Sequence, residues 1–424
     1  MWLPLILATL ALQPDATAYV GARLIPVEGP EIADGVMVVS GGRIAAIGDR
    51  STPIPQGAKV VTLAGKVVMP GLVDLHSHVG GPGGGDQSGA IQPDARAMDS
   101  INPADPGFRR VTSGGLTTLN VMPGSGHLMS GQTIYVKPRK GVRILKDMLV
   151  RDGNGWATGG MKMANGTNPI GGANRPGNRS RAHAMVRQHF LKALEYKAQL
   201  EAAKSDPTKA PKRDLGMEAM VEVLEGKRVV HHHTHRADDI VKVLQLKEEF
   251  GFKVVLHHCT EARFVASEIA KAGVPCSLTY VDAPGGKLEA VNVDFSNAAE
   301  LARAGVSVGF NTDDGITDSR FFIRNAAMAM RYGLPRDEAL RSLTINPAKH
   351  IELDHRIGSL KAGKDADFIV LDGDPFSVYT RVQQTYIEGL KVFDFGDPAD
   401  RKFALGGEGS RGNGTIHLCC AEAD

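Results

Sequence analysis

The spacing of apolar residues changes twice along the 424-residue chain. Up to about residue 69, short alternating runs such as GVMVVSGGRIAAIG are separated by glycine-containing turns, which predicts β-strands. From residue 70 to about residue 349, strand-like runs alternate with helical patterns, and short strands return after residue 350. Repeated strand–helix units predict a parallel sheet that is covered by helices.

Seven strands are predicted in the middle region, and a further one must lie in the less regular stretch around residues 130–150. The seven runs are LVDLHSHV (72–79), LTTLNVMPG (116–124), GMKMANG (160–166), RVVHHHTH (228–235), KVVLHHCT (253–260), PCSLTY (275–280) and VSVGFNTDD (306–314). Between two of them, RADDIVKVLQLKEEFG has helical spacing at Ile240, Val243, Leu244 and Lys247. This number of units predicts an α/β protein with a TIM-like (β/α)8 barrel over residues 70–349.

Both ends of the chain have strand-only patterns. Residues 19–69 and 350–400 are therefore predicted to form one small β-sandwich, with the barrel inserted between them. Residues 401–424 include GGEGSRGNG, which predicts a loosely ordered tail.

Residues 1–18 resemble a secretory leader, because the apolar run Trp2–Leu12 precedes the small residues Ala16-Thr17-Ala18. We therefore expect a periplasmic or secreted protein. No Lys or Arg precedes the run, so a buried strand, a misplaced start codon and a cytoplasmic location stay open as alternatives. A helix that crosses a bilayer needs about 20 apolar residues. Because the run is shorter, no membrane span is expected.

The charge balance gives no sign of a polyanionic partner. The formal net charge is +2, from 49 basic and 47 acidic residues, without a basic patch, so nucleic-acid binding is not expected. The four cysteines match neither a zinc ribbon nor a disulfide framework. We expect a small-molecule substrate. A homo-oligomer stays open as an alternative to a monomer.

Several predicted barrel strands end in polar residues, although strands covered on both faces should be apolar. His76 and His78 are two residues apart and share one face of a strand. In VVHHHTH the same alternation places His231, His233 and His235 on one face and His232 on the other. Of the adjacent pair His257 and His258, alternation lets only one face inward, and Asp313 ends the last strand.

The carboxyl ends of barrel strands meet at the reaction face of the fold. Imidazole and carboxylate groups gathered there suit zinc, manganese or a similar divalent ion. The pattern of His-x-His on the first strand, histidines on two later strands and aspartate on the last is much more specific than a single His-x-His.

The sequences PGLVDLHSH, the paired later histidines, TDD and INPAKHIELDHRIGSLKAGKDADFIVLDGDP together resemble the amidohydrolase superfamily. The resemblance covers about residues 19–395 and is greatest to imidazolonepropionase-like amidohydrolases, which include metal-dependent dipeptidases. It implies one or two divalent metals, zinc in the first place, on these ligands: His76, His78, His233, His258 and Asp313.

The same resemblance implies three further assignments. Lys162 lies where two-metal members carry a carbamylated lysine that bridges the ions, an ordinary lysine being the alternative. His235 is the second choice for the ligand on its strand and, like Arg236, a weak candidate for a substrate contact. His257 is expected to point toward the helices.

The resemblance also implies a reaction. A metal-activated water would attack an amide, with Asp313 as general acid and base, in a dipeptide or an N-acyl amino acid. Deaminase and cyclic-amide hydrolase members, which use one metal, generally carry Glu three residues after the fifth-strand histidine. That position is Arg236 here, which disfavours this alternative; a non-catalytic barrel relative is a third one.

Overall fold

The computed structural model describes residues 16–85, 88–171, 175–280 and 287–406. Residues 1–15 of the predicted leader and residues 407–424 of the predicted tail lie outside the described residues. Thr17 and Ala18, at the expected cleavage site, belong to the first strand. Across the described ranges, no helix combines the length and the apolar character needed to cross a membrane.

The described residues form seventeen strands and ten α-helices. The strands are β1 Thr17–Leu24, β2 Ile32–Ser40, β3 Arg43–Asp49, β4 Lys59–Thr62, β5 Val67–Pro70, β6 Leu72–Ser77, β7 Leu116–Val121, β8 Met129–Gln132, β9 Ile134–Val136, β10 Met161–Ala164, β11 Val230–Thr234, β12 Val254–His258, β13 Cys276–Leu278, β14 Val308–Phe310, β15 Phe368–Leu371, β16 Val382–Ile387 and β17 Leu390–Asp394. The helices are α1 Gly107–Ser113, α2 Arg179–Ala203, α3 Leu215–Leu224, α4 Ala237–Phe250, α5 Ala266–Lys271, α6 Asn297–Arg303, α7 Ile323–Arg331, α8 Arg336–Leu343, α9 Ile345–His350 and α10 Pro398–Leu405.

Strands from both ends of the chain form one mixed sheet. Its order is β17-β16-β15-β5-β1-β2-β3, and β4 also pairs with β1. The two ends meet where β15 runs antiparallel to β5, with Val370 opposite Val68. Its core contains stacked rings of Phe368 and Tyr386, whose centroids are 4.3 Å apart. The chain ends therefore fold together, as the strand-only patterns predicted; the exact domain limits stay a prediction.

The middle region confirms the predicted α/β class. Strands β10 to β14 are parallel neighbours in the order β14-β13-β12-β11-β10, and β6 pairs in parallel with β7. Helices lie between most of these strands in the sequence. In α4 the apolar residues Ile240, Val243, Leu246 and Phe250 are buried. The predicted positions Ile240 and Val243 are among them, whereas Leu246 is buried in place of the predicted Leu244 and Lys247.

The stretch around residues 130–150 differs from a regular barrel strand. It contributes β8, antiparallel to β10, and β9, antiparallel to β7. Residues 122–128 connect β7 to β8, which lies beside β10, whereas β9 returns to pair with β7.

A buried carboxylate joins β6 to the segment after β14. Asp74 accepts hydrogen bonds from the backbone N–H of Thr312 at 3.0 Å, from the Thr312 hydroxyl at 2.5 Å and from the N–H of His76 at 3.1 Å. The N–H of Asp313 in turn donates to the carbonyl of His76 at 2.9 Å. Burial raises the pKa of Asp74 to about 7. These bonds fix the end of β14 beside the end of β6.

Helix α9 packs beneath β14 through polar contacts. Asn346 Nδ2 donates to the Val308 carbonyl at 3.0 Å, and His350 Nε2 lies 2.8 Å from the Ser307 hydroxyl. His350 is buried, and burial lowers its pKa to about 3. The folded protein therefore holds this imidazole in its neutral form.

This buried imidazole predicts that acid destabilises the fold. Because the pKa of His350 falls on folding from 6.5 to about 3, the neutral ring makes its full contribution to the free energy of unfolding above pH 6.5. This contribution is lost as the pH falls toward 3. Each pH unit in that window costs about 1.4 kcal/mol at most. His350→Gln should therefore reduce the loss of unfolding free energy between pH 7.5 and pH 5, measured by urea denaturation. His355→Gln, at an exposed position, is the control and should leave the loss unchanged.

Candidate metal centre

The polar residues singled out in the sequence gather at the carboxyl ends of the parallel strands. In the β10–β11–β12 ladder, Lys162 lies opposite His231 and His233 lies opposite His257. His78 directly follows β6, and Asp313 lies three residues beyond β14. The strands carry these side chains inward because their other face is covered by helices, so the site lies inside the protein.

The first group consists of His76, His78 and Asp313. His78 Nε2 lies 3.2 Å from His76 Nε2 and 3.0 Å from Asp313 Oδ1, and His76 Nε2 lies 3.4 Å from the same oxygen. These three side chains meet the spacing of a metal-binding group. They come from two strands more than 230 residues apart in the sequence, which the Asp74 contacts bring together.

The hydrogen bond of His78 to the backbone selects the ring nitrogen that faces this group. His78 Nδ1 donates to the Met122 carbonyl at 2.8 Å, because a carbonyl oxygen can only accept. The neutral ring then has a lone pair on Nε2, which points at the Asp313 carboxylate. Acceptor atoms that face each other at this distance are stabilised by a cation between them, and a neutral imidazole is the form that binds a metal.

Lys162 is fully buried beside the first group. Its Nζ donates to His76 Nε2 at 3.1 Å and lies 3.3 Å from Met122 Sδ. The lysine therefore contacts His76 of the first group, and its implied role as a carbamylated bridge stays a prediction. Both contacts are made by the unmodified amine of Lys162.

The second group consists of His233 and His258, whose ring centroids are 4.5 Å apart. Thr279 donates its hydroxyl hydrogen to Asn311 at 2.7 Å, so its oxygen accepts from His258 Nδ1 at 3.0 Å. That leaves a lone pair on His258 Nε2. Within the part of the chain that the structure describes, His258 Nε2 and His233 Nδ1 have no hydrogen-bond partner although both are buried. Two orphaned imidazole nitrogens fit a metal ligand role.

Burial keeps these imidazoles neutral. It lowers the pKa of His76, His233 and His258 well below the usual histidine range, and the nearby ammonium groups of Lys162 and Lys287 lower them further. Metal binding requires deprotonated ligands, so the rings are in the form that coordinates a cation.

His257 differs from its prediction. Its ring faces the interior, 5.2 Å from His76, rather than the helices, and its Nε2 lies 3.0 Å from His231 Nδ1. His258 reaches the same side, 5.1 Å from His76, because its φ of 67° breaks the alternation of the strand. Positive φ at a non-glycine residue is uncommon, so strict alternation was the wrong assumption for this pair.

The other histidines of VVHHHTH have different surroundings. His231 is held between the hydroxyl of Tyr135, 3.1 Å from its Nε2, and the ring of His257. His232 is buried, and its Nδ1 donates to the His233 carbonyl at 2.9 Å. That His232 is not a metal ligand stays a prediction.

His235 lies next to the second group, and Arg236 does not. The His235 ring stacks on His258 with centroids 5.1 Å apart, and its Nδ1 lies 2.7 Å from the Thr260 hydroxyl. Arg236 makes two hydrogen bonds of 2.9 Å with Asp238 at the start of α4. The structure therefore places Arg236 in an ion pair at the start of α4, and its role toward a substrate stays a prediction.

Three residues of the site had no counterpart in the sequence reasoning. Asp74 holds β6 to the end of β14, and Lys287 and Glu289 reach His233 from the loop after β13. Asp74 could have been noticed as a charged residue in the middle of an otherwise apolar strand. Lys287 and Glu289 lie outside any periodic pattern, and the sequence contains no signal for them.

Comparisons with known proteins agree with this geometry. Residues 180–398 match the model of the Amidohydrolase family. The amidohydrolase tasK of Hapsidospora irregularis is 28% identical over 397 residues, which are 85% of this chain and 40% of that protein. This chain thus spans less than half of the length of that relative. An imidazolonepropionase of Symbiobacterium thermophilum is 25% identical over 384 residues, 80% of this chain and 84% of that protein.

A solved structure gives the fullest match of the three. An amidohydrolase from Thermotoga maritima MSB8 is 33% identical, with a TM-score of 0.82 over 89% of this chain and 100% of that chain. The family model covers more than half of the chain, and the resemblance seen in the sequence is confirmed. This chain belongs to the Amidohydrolase family.

Proposed function

We propose that the protein is a metal-dependent hydrolase that cleaves a carbon–nitrogen bond of an amide. The observation that carries the proposal is the first group, where Nε2 of His76 and Nε2 of His78 lie 3.0–3.4 Å from one carboxylate oxygen of Asp313. The homologues named amidohydrolase and imidazolonepropionase support this class of reaction.

The donor set suits one or two divalent ions, with zinc as the first choice. His76, His78 and Asp313 would hold one ion. His258 Nε2 and His233 would hold a second, and His233 Nδ1 would be the ligand atom in the tautomer that carries the ring proton on Nε2. A bound divalent ion supplies a polarised carbonyl and a water of lowered pKa. The remaining work falls to the residues of the chain.

Asp313 is the proposed general acid and base. Its Oδ1 faces His76 and His78, and its Oδ2 lies 3.9 Å from His258 Nδ1. The backbone bond from its N–H to His76 fixes the carboxylate over the site. Asp313 would take the proton of the attacking water and give it to the leaving nitrogen, so that one group serves both halves of the hydrolysis.

The proposed substrates are dipeptides and N-acyl amino acids. One-metal members of the superfamily generally carry a glutamate three residues after the fifth-strand histidine, and Arg236, paired with Asp238, stands at that position here. Metal analysis followed by a screen of dipeptides, N-acyl amino acids and cyclic amides tests this choice. Turnover confined to cyclic amides would contradict it.

We also propose that the strands β6 to β14 form the two arcs of one TIM-like barrel. One arc has the strand order β14-β13-β12-β11-β10-β8, and the other has the order β6-β7-β9. The chain joins them at Thr133, the single residue between β8 and β9. At the other junction, Asp313 N–H bonds to the His76 carbonyl and Thr312 bonds to Asp74. Both junctions support a ring in which the site lies at the carboxyl ends of the strands.

His233 and His232 provide a matched test of the ligand assignment. His233→Asn should lose bound metal and activity far beyond the roughly 10- to 100-fold effect of a residue that only orients a ligand. His232→Asn alters a neighbouring buried histidine on the opposite face and should retain metal. Metal content per subunit by elemental analysis, with circular dichroism to confirm folding, distinguishes them. Loss of metal in His232→Asn with retention in His233→Asn would reverse the assignment.

Lys162 determines the number of metals in the proposal. Its neutral amine would add to carbon dioxide, forming an N–C bond and releasing a proton, and the resulting carbamate oxygens would bridge two ions. Reconstitution with metal should then improve with added bicarbonate. Lys162→Ala should lose metal and activity, and a short carboxylic acid should partly restore both.

The result that rules out the bridge is equally specific. A wild-type protein with one ion per subunit, together with a Lys162→Ala variant of unchanged metal content and activity, would show that Lys162 is an ordinary buried lysine. Such a result would move the proposed substrate toward small cyclic amides.

A further inference from the structure

The turn that carries Asp313 has an unusual backbone. Asp313 has a φ of 45°, in the left-handed region that residues with a side chain rarely adopt. Its carbonyl accepts from the N–H of Ile316 at 2.9 Å, and Gly315 between them has a φ of 115°. Such a backbone conformation costs free energy and persists only where the surrounding contacts hold it. The contacts around this turn therefore decide where the Asp313 carboxylate points.

One side of the turn is held by the contacts of the buried Asp74. Thr312 donates to Asp74 through its N–H and its hydroxyl, and the N–H of Asp313 donates to the His76 carbonyl at 2.9 Å. All of these bonds are made at or before Asp313 in the sequence. They leave the far side of the turn, which begins with Asp314, to other contacts.

An ion pair with helix α1 holds this far side. The side chain of Asp314 is only 5% exposed, and its Oδ2 accepts from Arg110 Nη2 at 2.6 Å. A buried carboxylate needs a cationic partner, because an unpaired charge away from water is costly. Burial raises the pKa of Asp314, and the guanidinium of Arg110 opposes that rise. Arg110 therefore favours the charged, buried form of Asp314.

Arg110 reaches the turn from a packed helix. The Ser113 hydroxyl donates to the Arg110 carbonyl at 2.7 Å. Gly114 directly follows α1 and lies so close to the segment after the turn that a Cβ on it would be 2.1 Å from the carbonyl oxygen of Ser319. Helix α1 thus packs tightly beside the turn, and the ion pair connects two elements that are already in contact.

We propose that Arg110 is a positioning residue, which acts through Asp314 to keep the Asp313 carboxylate facing the two histidines of the first group. Asp74 fixes one side of the turn and Arg110 fixes the other, so Asp313 Oδ1 stays 3.0 Å from His78 Nε2. The positioning stands on these contacts. That the positioned carboxylate serves a metal rests on the proposed function.

The neighbouring residue of the same helix offers a matched control. Arg109 pairs with Asp400 of α10, and its guanidinium lies 4.6 Å from the ring centre of Phe403. Loss of either arginine removes one ion pair from α1, but of the two it is Arg110 that pairs with the turn. A merely structural role would lower the stability of both variants, whereas positioning affects the first group in the Arg110 variant alone.

Crystal structures of the metal-free variants test the positioning directly. In Arg110→Met we expect the Asp313 carboxylate to leave its 3.0 Å contact with His78, and in Arg109→Met we expect that contact to remain. Arg110→Lys retains a cation and should keep the contact. The same contact in Arg110→Met, or its loss in both methionine variants, would overturn the proposal. If Arg110→Met fails to fold, Asp314→Ala takes its place with the same expected displacement.

Titration of the metal-free protein with Co²⁺, followed by visible absorption, measures the consequence for the proposed metal centre. Asp313→Asn identifies the binding step that depends on the first group. At that step the affinity should fall about 10- to 100-fold in Arg110→Met, the usual effect of losing a residue that orients a ligand, and should stay at the wild-type value in Arg109→Met.

A double variant tests whether Arg110 acts through Asp314. Asp314→Ala should weaken Co²⁺ binding by a similar factor, and Arg110→Met combined with Asp314→Ala should show no further loss, because both residues act through one contact. Unchanged affinity in Arg110→Met, or losses that multiply in the double variant, would refute this action. A wild-type protein that binds no Co²⁺ would refute the proposed function, and the crystal structures would still decide whether Arg110 positions Asp313.

Discussion

The buried carboxylate of Asp74 is the constraint on which the site depends. It accepts three hydrogen bonds, from the N–H of His76 and from the N–H and hydroxyl of Thr312. Hydrogen bonds to a charged or partly charged buried group contribute about 1.5–3 kcal/mol each. Their geometric effect matters more here, because they set the segment that carries Asp313 against the strand that carries His76. Without that alignment the two halves of the first group would not meet.

A second layer of contacts selects the ring nitrogens that face the centre. The Met122 carbonyl fixes the tautomer of His78, and the Thr279 hydroxyl, itself donating to Asn311, fixes that of His258. In each case the outer partner takes the ring proton and leaves a lone pair directed inward. Metal-binding histidines generally have such partners, which orient the ring and raise its basicity. The surrounding backbone and hydroxyl groups therefore orient both rings in the way that the proposed ligand role requires.

Much of the fold could be predicted from periodicity, because strands and helices of a covered sheet have distinct spacings. The strand that carries His231 and His233 and the sheet shared by both chain ends are of this kind. Alternation failed at His258, where a positive φ turns the ring inward; nothing in the residue pattern announces that dihedral angle. The antiparallel strands β8 and β9 have only four and three residues, and runs this short give little periodicity.

Lys287 and Glu289 show a different limit of sequence reasoning. They lie more than 50 residues after His233, with Glu289 in a short 3-10 helix, and their importance comes only from the closeness that the fold creates. Two lysines of the site, the buried Lys162 and the partly buried Lys287, each place their Nζ 3.1–3.2 Å from a histidine nitrogen. The fold therefore supplies cations to both sides of its histidine cluster from its own side chains. The carboxylate of Glu289 lies 2.8 Å from Lys287 Nζ and balances its charge.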